Sequence, residues 1–221
     1  MKAMILAAGR GSRLRPLTDK IPKPLIRVGG KPLIEYHIEK LSNAGFDSII
    51  INTAHLGEKI QAYVGDGSRY NIPIQYSDEG EQALETGGGI ANALPLLGDQ
   101  PFLLVNADIY CEMSFNPQFL LGHSKMHLVM VANPPHHPEG DFTEKELTMS
   151  NNADLRLTFS GVSYIHPQLF THEKRAFPLI EKIRFCIEEK LISAEIYQGM
   201  WTDVGTASRL YEADKYILSK T

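Results

Sequence analysis

The sequence predicts an α/β fold, a mainly parallel sheet flanked by helices, and three observations carry that expectation. Short apolar runs rich in β-branched residues alternate with longer amphipathic stretches, the pattern of βα units. Glycines cluster just after the first apolar run and again at the start of a helical stretch, where strands hand over to helices. The chain has 221 residues, 43% hydrophobic and 22% charged, which suits one sizeable core and excludes a disordered chain or a coiled coil.

The elements follow in order. Ala3–Ala8 is a continuous apolar run and reads as a buried first strand. Leu33–Ala44 places Leu33, Ile34, Ile38 and Leu41 on one helical face, and Gly45 stands where a helix closes on a left-handed residue. Ser48–Asn52 reads as strand, Leu56–Val64 as helix, Ile72–Tyr76 as strand and Thr86–Leu97 as a helix that opens with three glycines. Phe102–Asn106 is the most apolar central strand. A helix is expected near Pro117–Ser124 and a strand at His127–Ala132. Asn133–Asp154 is polar and rich in Pro, His, Gly and Asn, the character of a functional loop, so it is expected to be a substrate-facing insertion. Strands near Arg156–Ile165, a helix over Leu179–Lys190 and a closing helix over Ala207–Ser219 complete the reading. There is no internal repeat, no β-helix period and no low-complexity tract, so one domain over residues 1–221 is expected.

Charge narrows the function classes. The formal net charge is −4, a field that repels nucleic acid and anionic lipid. The average hides an imbalance: residues 1–31 hold eight basic side chains against Asp19 alone, giving +7 there and −11 for the remainder. A small anion is the expected ligand at that end. The first apolar run is too short for a signal peptide or an anchor, so a cytoplasmic protein with no membrane partner is expected. Cys111 and Cys186 form no CxxC pattern and are expected to be reduced thiols.

Leu6-Ala7-Ala8-Gly9-Arg10-Gly11-Ser12-Arg13-Leu14 sets two glycines directly after a strand, where backbone N–H groups can close on phosphate oxygens. A tight turn between strand and helix explains the same glycines. A P-loop needs Gly-Lys-Ser/Thr, which is absent, and a dinucleotide fingerprint needs glycine at Arg13 and an acid after Ile51, where Asn52 and Thr53 stand. What remains is Gly-x-Gly-x-x-Arg followed by Lys23-Pro24-Leu25. Arg grips phosphate in two-pronged fashion and Lys acts as a point charge, a combination better suited to a triphosphate than to a dinucleotide. Asp108, just past a central strand, and Asp203, shortly before the last helix, are carboxylates that a hard cation could use. A turn aspartate and a helix cap explain them as well. His136, His137 and Glu139 lack a metal-site spacing and point to substrate contact within the polar loop.

The stretch Met4 to Leu25, with Gly29-Gly-Lys-Pro-Leu-Ile-Glu-Tyr, Glu85-Thr-Gly-Gly-Gly, Asn106-Ala-Asp108 and Trp201-Thr-Asp-Val-Gly205, resembles the sugar-1-phosphate nucleotidylyltransferases over nearly the whole chain. The resemblance implies the Rossmann-like mixed sheet of the nucleotide-diphospho-sugar transferases. It implies a Mg2+-dependent enzyme whose substrates are UTP and a sugar-1-phosphate. The acceptor it implies is N-acetylmuramate α-1-phosphate, giving UDP-N-acetylmuramate and pyrophosphate in peptidoglycan recycling. Mannose-, heptose- or glucose-1-phosphate with UTP or GTP is the alternative, and a non-catalytic sugar-nucleotide sensor a further one. Carried over residue by residue, Arg13 and Lys23 are catalytic, and Gly9, Gly11, Ser12, Arg13, Lys23, Glu85, Thr86 and Gly87 bind nucleotide. Asn106, Gly140, Asp141 and Gly161 lie on the sugar side, and Asp108 and Asp203 hold the metal. Many relatives have Leu-Gly-Thr where this chain has Leu84-Glu85-Thr86, with one extra residue near Gln82-Ala83. A monomer or small homo-oligomer is expected.

Overall fold

The computed structural model describes residues 1–80, 84–150, 154–171, 173 and 175–220. Gln82 and Ala83 therefore lie outside the described residues. In chain order, β1 (Ala3–Leu6) is followed by a small hairpin, β2 (Arg27–Val28) with β3 (Lys31–Pro32), and by α1 (Leu33–Ala44). Then come β4 (Ile49–Thr53), α2 (Gly57–Val64), β5 (Ile74–Asp78), α3 (Glu85–Leu97) and β6 (Phe102–Asn106). The second half contains β7 (Ile109–Cys111), β8 (Met126–Val131), β9 (Phe142–Thr143) and β10 (Arg156–Ile165). It ends with α4 (Ile180–Glu188), β11 (Ile192–Ile196), β12 (Trp201–Asp203) and α5 (Ala207–Leu218).

The main sheet runs β11-β8-β10-β6-β1-β4-β5, with β9 paired to β10. β1 is parallel to β4 and β6, β4 to β5, and β11 to β8, while β10 runs antiparallel to β6 and β8. The fold is thus α/β with a mixed, mainly parallel sheet, as the alternating pattern predicts. The central strands β1, β4 and β6 are apolar on both faces up to their carboxyl ends because both faces are covered. Side-chain alternation divides them between two cores: Ile5, Ile51 and Val105 pack with Ile34, Ile38 and Leu41 of α1, whereas Met4, Ile50 and Leu104 pack with Ile90, Ala93 and Leu97 of α3. Gly45, at φ 83°, ends α1 by donating its N–H to the Leu41 and Ser42 carbonyls.

The site's position follows from the strand order. After β1 the chain goes to β4 on one side and later to β6 on the other, so the strand order reverses at β1. A crevice opens at the carboxyl ends of strands at such a reversal. Leu6 and Asn106 are register partners there, and the Ala107 N–H donates to the Leu6 carbonyl (3.0 Å).

Several elements differ from the sequence expectation. Pro117–Ser124 is not a helix: the Asn116 side chain accepts the Gln118 N–H (2.9 Å), and Gly122 takes φ 60°. A local side-chain cap and a left-handed glycine thus outcompete helical hydrogen bonds, and Leu120 is left 87% exposed. The strand after His55 begins two residues later than expected, at Ile74, because Ser68–Tyr70 forms a short 3-10 turn first. β7, β9, β11, β12 and the β2–β3 hairpin are additional, β9 lying inside the stretch Asn133–Asp154 expected to be loop. The cysteines are free and buried. Burial raises both thiols, that of Cys186 to about 11.

Candidate active site

The loop after β1 turns sharply at Gly11 (φ 66°), and Ser12–Leu14 then forms a 3-10 turn whose Leu14 N–H donates to the Gly11 carbonyl (2.9 Å). A side chain at Gly11 would meet Thr18 Cγ2 at 2.9 Å and the Lys23 stem at 3.2 Å, so only glycine lets the loop lie under Lys23. Thr18 Oγ1 donates to the same Gly11 carbonyl (2.9 Å). Over Gly9 there is open space.

This loop forms one wall of a cavity of about 780 Å³ that runs along the carboxyl ends of β1, β4, β5 and β6. Gly9, Gly11, Ser12, Arg13, Lys23, Glu85 and Thr86 all line it, together with Asn106 and Asp108. Gly87 does not. A side chain on Gly87 would sit 2.4 Å from the Phe177 ring, and the Gly87 and Gly88 N–H groups both donate to the Phe177 carbonyl (2.9 and 3.1 Å). The glycine run thus lets the start of α3 pack closely on the 175–177 segment. Glu85 has φ 58°, which explains why glycine suits this position in relatives. Thr86 Oγ1 accepts the Leu179 N–H (2.8 Å).

Among the cavity residues that escaped the sequence reading, Glu79 and Asn52 form a hydrogen-bonded pair. Glu79 Oε1 accepts from Asn52 Nδ2 (2.6 Å), Glu79 Oε2 accepts the Leu84 N–H (3.2 Å), and Asn52 Oδ1 accepts the Ala7 N–H (2.7 Å). Both stand at the carboxyl ends of parallel strands, and that position is the signal that could have found them.

A second cavity, about 320 Å³, adjoins the first and shares Arg13, Asn106 and Asp108 with it. Its lining also includes His136, His137, Thr158, Ser160, Gly161, Trp201 and Asp203. Gly161, at φ 82°, leaves room for Asn106, whose Nδ2 would be 2.7 Å from a Cβ there. Gly140 and Asp141 stand behind this lining. Asp141 accepts the Phe159 N–H (2.7 Å) and pairs with His137 Nε2 (3.1 Å), while Gly140, at φ 59°, packs on Asn133.

Charges converge where the cavities meet. Lys23, 8% exposed, donates to Asp108 Oδ2 at 2.5 Å. Asp203 is drawn in by a two-stranded ribbon in which it pairs opposite Ile109, so β12 delivers it beside Asp108, and Thr206 rather than Asp203 caps α5. Its Oδ2 lies 2.9 Å from Arg209 Nη2, a partner the sequence reading also missed, and its Oδ1 lies 3.0 Å from His136 Nε2. Neither close approach to Asp203 is aligned as a hydrogen bond, and Asp203 Oδ1 is buried without one. Among the described residues no cluster of three or more His, Cys, Asp or Glu could hold a metal. An orphaned carboxylate oxygen in the lining of a cavity that a second carboxylate, Asp108, also lines fits a hard divalent cation that takes its other ligands from phosphate and water.

Comparison with known proteins identifies the family. Residues 2–143 match the Nucleotidyl transferase family. The chain is 47% identical to N-acetylmuramate alpha-1-phosphate uridylyltransferase of Neisseria meningitidis serogroup B, over 96% of each chain. It is 30% identical to mannose-1-phosphate guanyltransferase of Aspergillus oryzae, over 93% of this chain and 61% of that one. A crystal structure of UDP-glucose pyrophosphorylase complexed with UDP-glucose shares the fold, with a TM-score of 0.78 and 20% identity over 100% of this chain and 99% of the other.

Proposed function

The chain belongs to the nucleotidyl transferase family, and from that premise we propose that it transfers UMP from UTP to N-acetylmuramate α-1-phosphate, releasing pyrophosphate. One observation carries this reading: two cavities of unequal size meet at Arg13, Asn106 and Asp108, beside Lys23. The larger suits a nucleoside triphosphate and the smaller a sugar phosphate. Their junction is where the α-phosphorus and the attacking oxygen come together.

The attacking group is a phosphate monoester oxygen of the sugar-1-phosphate. It forms a bond to the α-phosphorus of UTP as the bond from that phosphorus to the bridging oxygen breaks, and pyrophosphate leaves with the electron pair. A monoester whose second pKa is about 6 is already largely dianionic at neutral pH, so no general base is needed. The rate then rests on positioning and charge neutralisation. The amides of the Gly9–Gly11 turn and the Arg13 guanidinium hold the triphosphate. Lys23 leaves Asp108 to follow the charge on the α-phosphate. Glu79, fixed by Asn52 and the Leu84 N–H, supplies the acceptor that the N3–H of uracil needs. Asn106 and the Gly161 turn bound the sugar, with His136 and His137 on its far side.

Asp108 and Asp203 would hold Mg2+, which when bound neutralises phosphate charge on both reactants. Lys23, which donates to Asp108, and His136, 3.0 Å from Asp203, are the side chains that would give up these carboxylates to the ion and turn to phosphate. Recycling of peptidoglycan in the cytoplasm is the setting for this product. Among the described residues no helix is long and apolar enough to cross a membrane.

Pyrophosphate release from UTP, GTP, CTP, ATP and dTTP, each with N-acetylmuramate-, glucose- and mannose-1-phosphate, tests the reading. The expected outcome is the highest kcat/KM for UTP with N-acetylmuramate α-1-phosphate. A preference for GTP with mannose-1-phosphate overturns the substrates, and absence of turnover with every pair overturns the activity.

A further inference from the structure

Asp108 and Asp203 are brought together outside the main sheet, by the two-stranded ribbon of β7 and β12. Its register pairs Trp201 with Cys111, Thr202 with Tyr110 and Asp203 with Ile109. Its ends are closed by the Val204 N–H on the Asp108 carbonyl (2.7 Å) and the Glu112 N–H on the Met200 carbonyl (3.0 Å). In an antiparallel ladder successive residues turn their backbone groups to opposite edges. With the Asp108 carbonyl turned toward β12, the carbonyls of Ile109 and Cys111 turn away from it.

Helix α1 takes both of those carbonyls. His37 Nε2 lies 2.9 Å from the Ile109 oxygen, and Lys40 Nζ donates to the Cys111 oxygen at 2.5 Å. Three residues along a helix advance about 4.5 Å and two along a strand about 6.6 Å, and the long lysine side chain covers the difference. A carbonyl only accepts, so His37 carries its hydrogen on Nε2, and its Nδ1 is buried without a partner. The ring is 1% exposed. Burial first, then the charge of Lys40, pushes it down to about 4 and keeps it neutral. Consecutive peptide units just after Asp108 are therefore pinned from opposite sides, one by Val204 and one by His37.

We infer that His37, seconded by Lys40, is a positioning residue for the metal carboxylates: it fixes the unpaired edge of β7 and thereby the reach of Asp108 toward Asp203. The inference rests on the reading of Asp108 and Asp203 as the metal pair. Partners that orient metal ligands in this way typically change metal affinity or activity by about 10–100-fold when removed.

The test uses Mn2+ as probe, with free Mn2+ measured by electron paramagnetic resonance in the presence of UTP, beside steady-state kinetics and thermal melting. His37→Leu removes the donor at similar size, and His37→Gln returns an amide N–H near the Nε2 position. The expected result is Mn2+ binding weakened about tenfold or more in His37→Leu, with kcat reduced and KM for the sugar phosphate little changed. His37→Gln should stay within about threefold of the unaltered protein. Should His37→Leu fail to fold, Lys40→Met, which keeps the stem, carries the test and should weaken Mn2+ in the same direction. Unchanged Mn2+ affinity in the folded donor-less variant, or equal loss in Leu and Gln variants of equal melting temperature, overturns the inference. Asp108→Asn separates the two readings: if it binds Mn2+ as the unaltered protein does, the metal reading fails and takes this inference with it.

Discussion

Replacing Lys23 by methionine isolates its charge, because methionine keeps an unbranched stem against Gly11 and removes only the ammonium. Lys23 Nζ sits 2.5 Å from Asp108 Oδ2, with side-chain exposures of 10% and 35%. In a water-like dielectric that separation corresponds to about 1.7 kcal/mol. Asp108 is a third open to solvent, so screening and side-chain ordering reduce the net contribution to about 1 kcal/mol. For a chain of this length that loss lowers the melting temperature by about 2–4 °C. The effect on rate is of another order. Removing one preorganised group that stabilises transition-state charge costs about 10²–10³ in kcat, or about 2.7–4 kcal/mol. The assay is pyrophosphate release at saturating UTP and sugar phosphate, with melting followed in parallel. A kcat within about threefold of the unaltered protein refutes the role given to Lys23. So does a melting temperature lowered enough to account for the lost activity.

Three further outcomes are expected. Gly161→Ala forces a Cβ to within 2.7 Å of Asn106 Nδ2 at φ 82°, so KM for the sugar phosphate should rise about tenfold or more while KM for UTP stays near its original value; equal effects on both would contradict the division of the two cavities. Glu85→Gly relieves a left-handed non-glycine residue and should stabilise the fold by about 1 kcal/mol, read as a higher urea midpoint at unchanged slope. Acid should destabilise the protein through His37, held near 4 when folded against 6.5 when unfolded. The unfolded chain binds the extra proton between those values, so this contribution is complete above about 6.5 and falls by about 3 kcal/mol as pH drops to 4. Lys40 pushes His37 the same way as burial, while the Ile109 carbonyl and the Asp108 charge oppose it. Melting of His37→Gln should depend less on pH than that of the unaltered protein; equal slopes would contradict the assignment.

Much of this was legible in the chain, and the exceptions have physical reasons. Ala3–Leu6, Ile49–Thr53 and Phe102–Asn106 are apolar on both faces because helices cover both, and such runs stand out without any alignment. Gly11 and Lys23 were readable together because only twelve residues separate them and the turn forces their contact. β7 and β12 were not, since Ile109–Cys111 and Trp201–Asp203 are three residues each, and their pairing joins parts of the chain far apart in sequence. Asp203 was found by resemblance, while its partner Arg209 had no local pattern to mark it. The three glycines from Gly87 carry two demands at once. Their neighbours Glu85 and Thr86 line the cavity, whereas Gly87 itself serves the contact with Phe177. Pro117–Ser124 is no helix because the Asn116 side chain closes a turn on the Gln118 N–H, a local hydrogen bond that apolar spacing does not register.

The central claim, transfer of the uridylyl group to N-acetylmuramate α-1-phosphate, is tested most directly with UTP radiolabelled at the α-phosphate, Mg2+, and an equimolar mixture of N-acetylmuramate and N-acetylglucosamine 1-phosphates. The account predicts that the label moves into UDP-N-acetylmuramate while the pyrophosphate released stays unlabelled. Label found mainly in UDP-N-acetylglucosamine, or in free UMP, would contradict it.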